Sequence, residues 1–532
     1  MSQRYDRQIR LWNLSGQQEL ANAKVGVFGS SALGSETLKN LVLPGIKEFV
    51  LLDHRIVSDV DLLSNFYVSK NNLGQSLSHT VTQLLCELNP QVAGNYLQTD
   101  LSKLSQEHKN IIETCTIVIL CNQIPTLVND IVDFCWDLGI PVISCSVNGF
   151  IGSTSTFISE HFIESHEDQI EDLRISEPFN EIEEYSDGID LDELDPTDRA
   201  HIPYIVILIK KLKEYKKMNG GKLPSTFKEK REFKNLVEAD KYCTGEENFM
   251  EAVENAIRYS GEYTMPTRVL QVLNSSNCEL VVSNPDKIQF KNLAFWVMAR
   301  ALRDFVHCST EGNGKLPLTG TIPDMKADTK RFIEIQKIYK NKANQDIEKV
   351  YNRVQDLLKS NLLKSTFCKL TRQDVETFCH NSHRLLFSSS SKPQLSTRKL
   401  TFPTFELGEI MYTANLAAQT FNQTYGRFPS NSDINDKSIL ENLCQQVCTN
   451  WNNPQSDQND QDSTETLMKN VIAEFIRSNG AELHTTCALF GGLVAQEAIK
   501  LITRHYLPVE NSLVYDGINS AFYSINDKEE LL

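Results

Sequence analysis

No two of the 13 cysteines stand at a CxxC spacing, and only Cys444 and Cys448 come as close as CxxxC. This excludes the paired-thiol signatures of zinc ribbons and thioredoxin-like redox centres. The scatter of the others suits small buried apolar side chains in a reducing compartment. Positive charge is also short: 53 Lys and Arg face 69 Asp and Glu, a formal net charge of −16. The clustered positive potential that nucleic acid or an anionic membrane demands is therefore not expected. Residues Met1-Ser2-Gln3-Arg4-Tyr5-Asp6-Arg7 contain no apolar core of signal-peptide type. No apolar run reaches the ~20 residues needed to span a bilayer. The expected protein is soluble and intracellular, cytoplasmic with the nucleus as a second location.

One glycine is missing where its absence matters most. A short apolar strand, Lys24–Phe28, runs into Gly29-Ser30-Ser31-Ala32-Leu33-Gly34 and then a helical stretch, Glu36–Val42. That is the strand–turn–helix unit in which dinucleotide folds seat a phosphate on a helix N-terminus. Ser31 stands where bare backbone would approach the phosphates, so its side chain crowds that place, while Gly29 and Gly34 still let strand and helix pack. The turn is built to fold, not to bind.

The rest of the chain has the 40% hydrophobic and 23% charged make-up of a globular protein, and its 532 residues exceed one ordinary core. Apolar runs at 24–28, 46–52, 116–120 and 140–145 alternate with helical patterns such as Leu77–Leu88 and Thr126–Leu138, which predicts βαβ units and a mostly parallel sheet. Beyond an acidic stretch, Glu177 to Asp198, come long amphipathic segments (Ile205–Met218, Phe295–Val306, Lys330–Leu362) with few strand signals. They read as an α-helical insertion. The polar segments Ser388–Pro393 and Asn452–Asp462 read as exposed loops. A small-residue helix, Thr485–Ile499, and a late strand, Ser512–Tyr515, return the chain to its first domain. The expected division is 1–165, 166–475 and 476–532.

Several motifs in this order carry a family likeness. Tyr5-Asp6-Arg7-Gln8-Ile9-Arg10-Leu11-Trp12, the glycine turn, and Gly491-Gly492 with Ala495-Gln496-Glu497 together resemble the adenylating half-domains of ubiquitin-like activating enzymes. Glu171-Asp172-Leu173-Arg174, His201-Ile202-Pro203-Tyr204, Phe295–Leu302, and Leu316-Pro317 followed by Gly320–Met325 narrow the resemblance to regulatory subunits of neddylation (Rub) activating enzymes. The resemblance implies a Rossmann-like, ThiF/MoeB-type half-domain interrupted by a helical insertion that lacks the catalytic cysteine. It implies a heterodimer in which a catalytic partner binds ATP and magnesium, adenylates a ubiquitin-like modifier and carries it as a thioester for cullin modification. This chain would hold no cofactor or metal of its own. Where active relatives carry charged ligands, it keeps Asp53 but has Arg55, Ser64-Asn65, Leu77 and Cys121-Asn122. Each change removes an attractive contact to Mg·ATP, and a charge-assisted hydrogen bond is worth roughly 1.5–3 kcal/mol. Among the thiols only Cys243-Thr244 has anything of the nucleophile pattern, and its acidic neighbours would raise its pKa.

The resemblance also assigns roles to individual residues. It gives Arg7 the part of a cation reaching across the dimer to the partner's triphosphate; the plainer alternative pairs Arg7 with Asp6 or Glu19. It places His201 and the stretch 324–337, including Asp324, Met325, Ala327, Asp328 and Phe332, at the partner interface. The alternatives are a capping or core histidine and a loop leading into a solvated helix. The lysines from Lys210 to Lys230 read as a solvated helical face, and the acidic stretch as a solvated loop. Two other readings remain open. One is an NAD-dependent Rossmann oxidoreductase with Asp53 on the ribose; the other is the small subunit of a SUMO-activating enzyme, which lacks so long an insertion.

Overall fold

The computed structural model describes residues 3–164, 171–285, 288, 292–359, 370–389, 400, 402, 406–449, 451, 461–509 and 512–525. It divides into two units, one formed by Met1–Ile163 with Ser388–Leu532 and the other by Glu164–Phe387.

The first unit is an α/β domain around an eight-stranded sheet: β1 (Lys24–Phe28), β2 (Glu48–Asp53), β3 (Ala93–Gln98), β4 (Ile117–Cys121), β5 (Val142–Asn148), β6 (Ile151–Phe157), β9 (Ser512–Asp516) and β10 (Ala521–Ile525), in the order β10-β9-β6-β5-β4-β1-β2-β3. The β3-β2-β1-β4-β5 half is parallel, and the β5-β6-β9-β10 half is antiparallel. Gly26 of β1 pairs with Val50 of β2 on one side and Val118 of β4 on the other, so β1 lies at the centre of the parallel half, and its residues Val25–Phe28 are buried, as a strand covered on both faces requires.

The helices α1 (Asp6–Asn22), α2 (Ala32–Val42), α3 (Asp59–Ser64), α4 (Leu77–Leu88), α5 (Gln106–Ile112) and α6 (Pro125–Leu138) follow from local sequence signals. Ser76 accepts from the His79 N–H at the start of α4; Pro125 opens α6, and Gly139 ends it in the left-handed conformation at φ 65°. Leu33, Leu41, Val81 and Leu85 pack with Val25, Val27 and Ile119 on one face of the sheet, while Leu127, Ile131 and Cys135 pack with Phe28, Val118 and Leu120 on the other.

The second unit is helical: α7 (Asn180–Asp187), α8 (Pro196–Arg199), α9 (Tyr204–Met218), α10 (Phe227–Glu238), α11 (Glu247–Tyr259), α12 (Thr267–Leu273), α13 (Ser276–Ser283), α14 (Leu293–His307), α15 (Thr329–Lys359) and α16 (Arg372–His380). Tyr204, Leu208, Phe233, Phe249 and Tyr339 form the centre of one core. The acidic stretch is not a simple loop, since α7 and α8 occupy much of it. Its carboxylates answer the lysines: Lys213 Nζ lies 2.8 Å from Glu183 and 2.7 Å from Asp187, and Lys241 lies 2.6 Å from Asp192. Strands β7 (Glu160–Glu164) and β8 (Leu385–Ser389) form a separate two-stranded sheet.

The expected insertion end at 475 is therefore corrected to 387. After it come α17 (Leu407–Tyr425), α18 (Asp436–Val447), α19 (Gln461–Ser478) and α20 (His484–Thr503), all in the first unit. Ile410, Ala414, Ala418 and Phe475 pack with Ile151, Val514 and Ile525, closing the face of the antiparallel half. Asn415 donates to Ser146 Oγ at 2.8 Å and Ser153 Oγ at 2.6 Å, fixing α17 on β5 and β6. Of the two segments read as loops, Ser388 and Ser389 finish β8 and α19 begins at Gln461; residues 390–393 and 452–460 lie outside the described residues.

Candidate functional site

At the centre of the first unit, Gly29 ends β1 with φ 104° and donates to the Leu52 carbonyl at 2.8 Å. A Cβ on Gly34 would sit 2.0 Å from the Gly29 carbonyl oxygen, so that position accepts glycine alone. The turn thus keeps both packing glycines, and its serines are committed. Ser30 donates from its backbone N at 2.8 Å and from Oγ at 2.6 Å to Asp53 Oδ2. Arg55, two residues beyond β2, turns back onto the same carboxylate, with Nε to Oδ2 at 3.2 Å and its backbone N to Oδ1 at 3.0 Å. Burial opposes the Asp53 charge, but Arg55 and the Ser30 hydrogen bonds outweigh it and hold the carboxyl below its usual value.

Ser31 is the N-cap of α2, and beside it is a group that sequence reading missed. Glu482, in the loop just before α20, lays its carboxylate against the start of α2. Ser31 Oγ donates to Oε1 at 2.6 Å, the Ala32 N–H donates to Oε2 at 2.9 Å, and the Asn122 amide donates to Oε1. A free N–H at a helix N-terminus and a converging hydroxyl and amide are what a phosphate would use. Here the chain's own carboxylate uses them. Burial raises the Glu482 pKa, opposed by Ser31, by the Arg55 charge, and by the Ala32 and Asn122 donors. Its only sequence signal is an isolated acid ahead of a helix, 451 residues from its serine.

The other degenerate positions are absorbed into the fold. Asn65 donates to the Ser30 carbonyl at 3.2 Å and to Ser35 Oγ at 3.0 Å. Leu77 is buried in the core under α2. The Cys121 thiol faces Cys145 at 3.6 Å, and that contact together with burial raises its pKa. Asn122 accepts from the Val147 N–H at 3.0 Å through its Oδ1.

Arg7 stands apart from this network. It lies in the first turn of α1, exposed, with no hydrogen bond or ion pair among the described residues. Asp6, its expected alternative partner, is held by Arg10 at 3.0 Å. In the second unit, His201 is exposed, neither core nor cap. The turn before it meets the start of α15: Arg331 Nη1 donates to the Asp198 carbonyl at 3.2 Å and to Asp328 Oδ2 at 2.6 Å. Asp324 is exposed, Ala327 and Phe332 are half-buried, and Met325 packs against the core of this unit. His201 and the 324–332 segment thus adjoin one surface, while Arg7 and the degenerate turn belong to the other unit. Cys243 is half-buried, and burial, then Glu238 and Asp240, raise its pKa.

A parallel sheet with a glycine turn after its central strand, closed by a glycine-bearing helix, defines an adenylation-type α/β protein, and the ThiF family model matches residues 5–530. The chain belongs to the ThiF family. Within it, a Xenopus laevis protein described as "NEDD8-activating enzyme E1 regulatory subunit" is 33% identical over 97% of both chains. A counterpart of Arabidopsis thaliana, "NEDD8-activating enzyme E1 regulatory subunit AXL", is 32% identical over 98% of both. One of Saccharomyces cerevisiae is 29% identical over 98% of this chain and all of its own. The chain is a member of these NEDD8-activating enzyme E1 regulatory subunits. Among solved structures, E. coli MccB with succinimide overlaps 40% of this chain and 65% of its own length at a TM-score of 0.28 and 15% identity.

Proposed function

We propose that the chain is the non-catalytic half of a heterodimer. Its partner adenylates a ubiquitin-like modifier with Mg·ATP and carries it onward as a thioester, while this half completes the assembly without nucleotide of its own. The observation that supports this reading is the Glu482 carboxylate on the N-terminus of α2. A nucleotide phosphate there would meet the Glu482 carboxyl group, and the donors it needs already have an acceptor. The residues present do not fit Mg·ATP: Leu77 is apolar and buried, Asn122 carries no charge, and Arg55 is committed to Asp53. Asp53 is buried and its Oδ2 is engaged by Ser30 and Arg55, which counts against the oxidoreductase reading. Full-length likeness to NEDD8-activating regulatory subunits favours neddylation over the SUMO alternative.

The exposed, unpaired Arg7 is the contribution this half makes to the partner's chemistry. Charge grows on the departing pyrophosphate during adenylation, and a guanidinium supplied in trans stabilises it. His201 and residues 324–332 form a second contact with the partner. The 12 described cysteines form no disulfide, which suits a reducing compartment such as the cytoplasm or nucleus. Calorimetry of the isolated chain against Mg·ATP tests the reading: no binding at micromolar levels is expected, and saturable micromolar binding would sink it.

A further inference from the structure

Helix α1 breaks between Arg7 and the rest of its length. Trp12 (φ −126°, ψ 22°) and Asn13 (φ 57°, ψ 179°) leave helical geometry, so residues 6–11 and 14–22 are two helical pieces joined at a kink. No proline causes it. A positive φ with an extended ψ belongs to glycine, and another residue keeps it only where its surroundings over-determine it. Here they do. Asn13 Nδ2 donates to Nε2 of the buried His505 at 3.2 Å, and the Tyr506 hydroxyl donates to the Leu11 carbonyl at 3.2 Å, just before the kink. Trp12 folds back over Gly16, where a Cβ would sit 2.9 Å from its own. The Trp12 indole N–H donates to Gln17 Oε1 at 3.1 Å, and Gln17 donates in turn to the Pro44 carbonyl at 3.0 Å.

The other end of the short piece is tied as well. The Tyr5 hydroxyl accepts from the Asn89 amide at 3.1 Å and donates to Gln91 Oε1 at 3.3 Å. Residues 6–11 are too few to hold a helix by themselves, so these contacts set its direction. Arg7 is the exposed cation on this strut, with no hydrogen bond or ion pair of its own among the described residues. It stands six residues before Asn13, about 9 Å along the axis, so a change of about 10° at the kink moves it by about 1.6 Å. A misplacement of about 1 Å is enough to cost a reaction on the order of 100-fold. We infer that the Asn13 kink, held by His505 and Tyr506 from the segment after α20, is a positioning device that aims Arg7 at the charge it neutralises. The inference rests on the role proposed above for Arg7 and adds the residues that direct it. Asn13, His505 and Tyr506 act through Arg7 and touch no substrate themselves.

The test is ATP–pyrophosphate exchange by the full chain assembled with the catalytic subunit of a NEDD8-activating enzyme, comparing Asn13→Ala, Asn13→Gly and Tyr506→Phe, each alone and combined with Arg7→Ala. Alanine resists the positive φ and lacks the amide, so Asn13→Ala is expected to lower kcat about 10- to 100-fold with KM for ATP unchanged, the mark of a contact made only in the transition state. Glycine keeps the kink at no steric cost, so Asn13→Gly is expected to stay within about threefold of wild type. With Arg7 already replaced, Asn13→Ala is expected to add nothing. Assembly, read by sedimentation velocity, is expected to be retained. Should Asn13→Ala weaken it, Tyr506→Phe decides, since it deletes one hydroxyl from a half-buried side chain and is expected to slow exchange several-fold only while Arg7 is present. Wild-type kcat in both Asn13→Ala and Tyr506→Phe would overturn the inference. So would a glycine variant as slow as the alanine one, or a loss of equal size with and without Arg7. An unchanged rate in Arg7→Ala alone would instead remove the proposed role of Arg7, and the inference with it.

Discussion

Ser31 Oγ donates to Glu482 Oε1 at 2.6 Å, joining the first glycine turn of the chain to the loop before its last long helix. The contact gives the donors of a phosphate-shaped turn an acceptor within the chain. The N-terminus of α2 leaves the Ala32 N–H without a partner inside the helix, and Glu482 supplies the acceptor. Replacing it by alanine leaves Ser31, Ala32 and Asn122 without that acceptor. Glu482→Ala is expected to cost about 1–3 kcal/mol, read as a lower urea midpoint of the full chain.

The same residue has a pH signature. Its folded pKa is raised above the usual 4.5 by burial, so the folded state holds a proton that the unfolded state has already released. Its contribution to stability is largest below that usual value and declines as pH rises through the folded pKa. Glu482→Gln keeps the shape and removes the titration. The urea midpoint of the variant should therefore fall less than that of the wild type as pH rises from the usual carboxylate range through the folded pKa; parallel profiles would show that Glu482 does not titrate as described.

Asp53 works with the opposite sign. Ser30 and Arg55 hold its folded pKa below the usual 3.8 against the penalty of burial, so its contribution is present above that value and lost as pH falls through the folded pKa. Asp53→Asn is expected to cost about 1.5–3 kcal/mol at neutral pH and to flatten the acid limb of stability. An unchanged acid limb in a denaturation series would assign the acid sensitivity to other carboxylates.

How far these contacts were legible in the sequence depended on their range. The apolar run 116–120 and the helix Leu77–Leu88 are local signals, and the structure has a buried strand at Ile117–Cys121 and the helix at Leu77–Leu88. The edge strand Ala93–Gln98 was not legible, because its exposed polar residues make no apolar pattern. For residues 407–425 the helical period reveals an apolar face without saying which surface it covers. That face covers β6, β9 and β10 of the first unit, so the insertion ends at 387. Asp53 and Ser31 could be singled out by position in a known turn. Glu482 could not, since nothing local to Gly480-Ala481-Glu482 encodes a partner in α2.

Arg7 gives a prediction that separates fold from function. The side chain is exposed and makes no hydrogen bond or ion pair among the described residues, so Arg7→Ala should leave stability within about 0.5 kcal/mol of wild type. In the assembled enzyme the same change should slow ATP–pyrophosphate exchange on the order of 10³-fold, the loss typical of an arginine supplied in trans. Equal exchange rates for variant and wild type would show that Arg7 does not reach the partner's triphosphate.

Cys243 tests the claim that this half forms no thioester. Attack on an acyl adenylate requires a thiolate, and burial with Glu238 and Asp240 nearby raises the thiol's pKa. Its turn offers no cation to reverse that, since Lys241, two residues earlier, is engaged with Asp192 at 2.6 Å. Cys243→Ser should therefore leave thioester formation by the assembled enzyme unchanged on a non-reducing gel. A loss of the thioester band that alkylation of wild-type Cys243 reproduces would place the nucleophile on this chain after all. It would also overturn its assignment as the non-catalytic half.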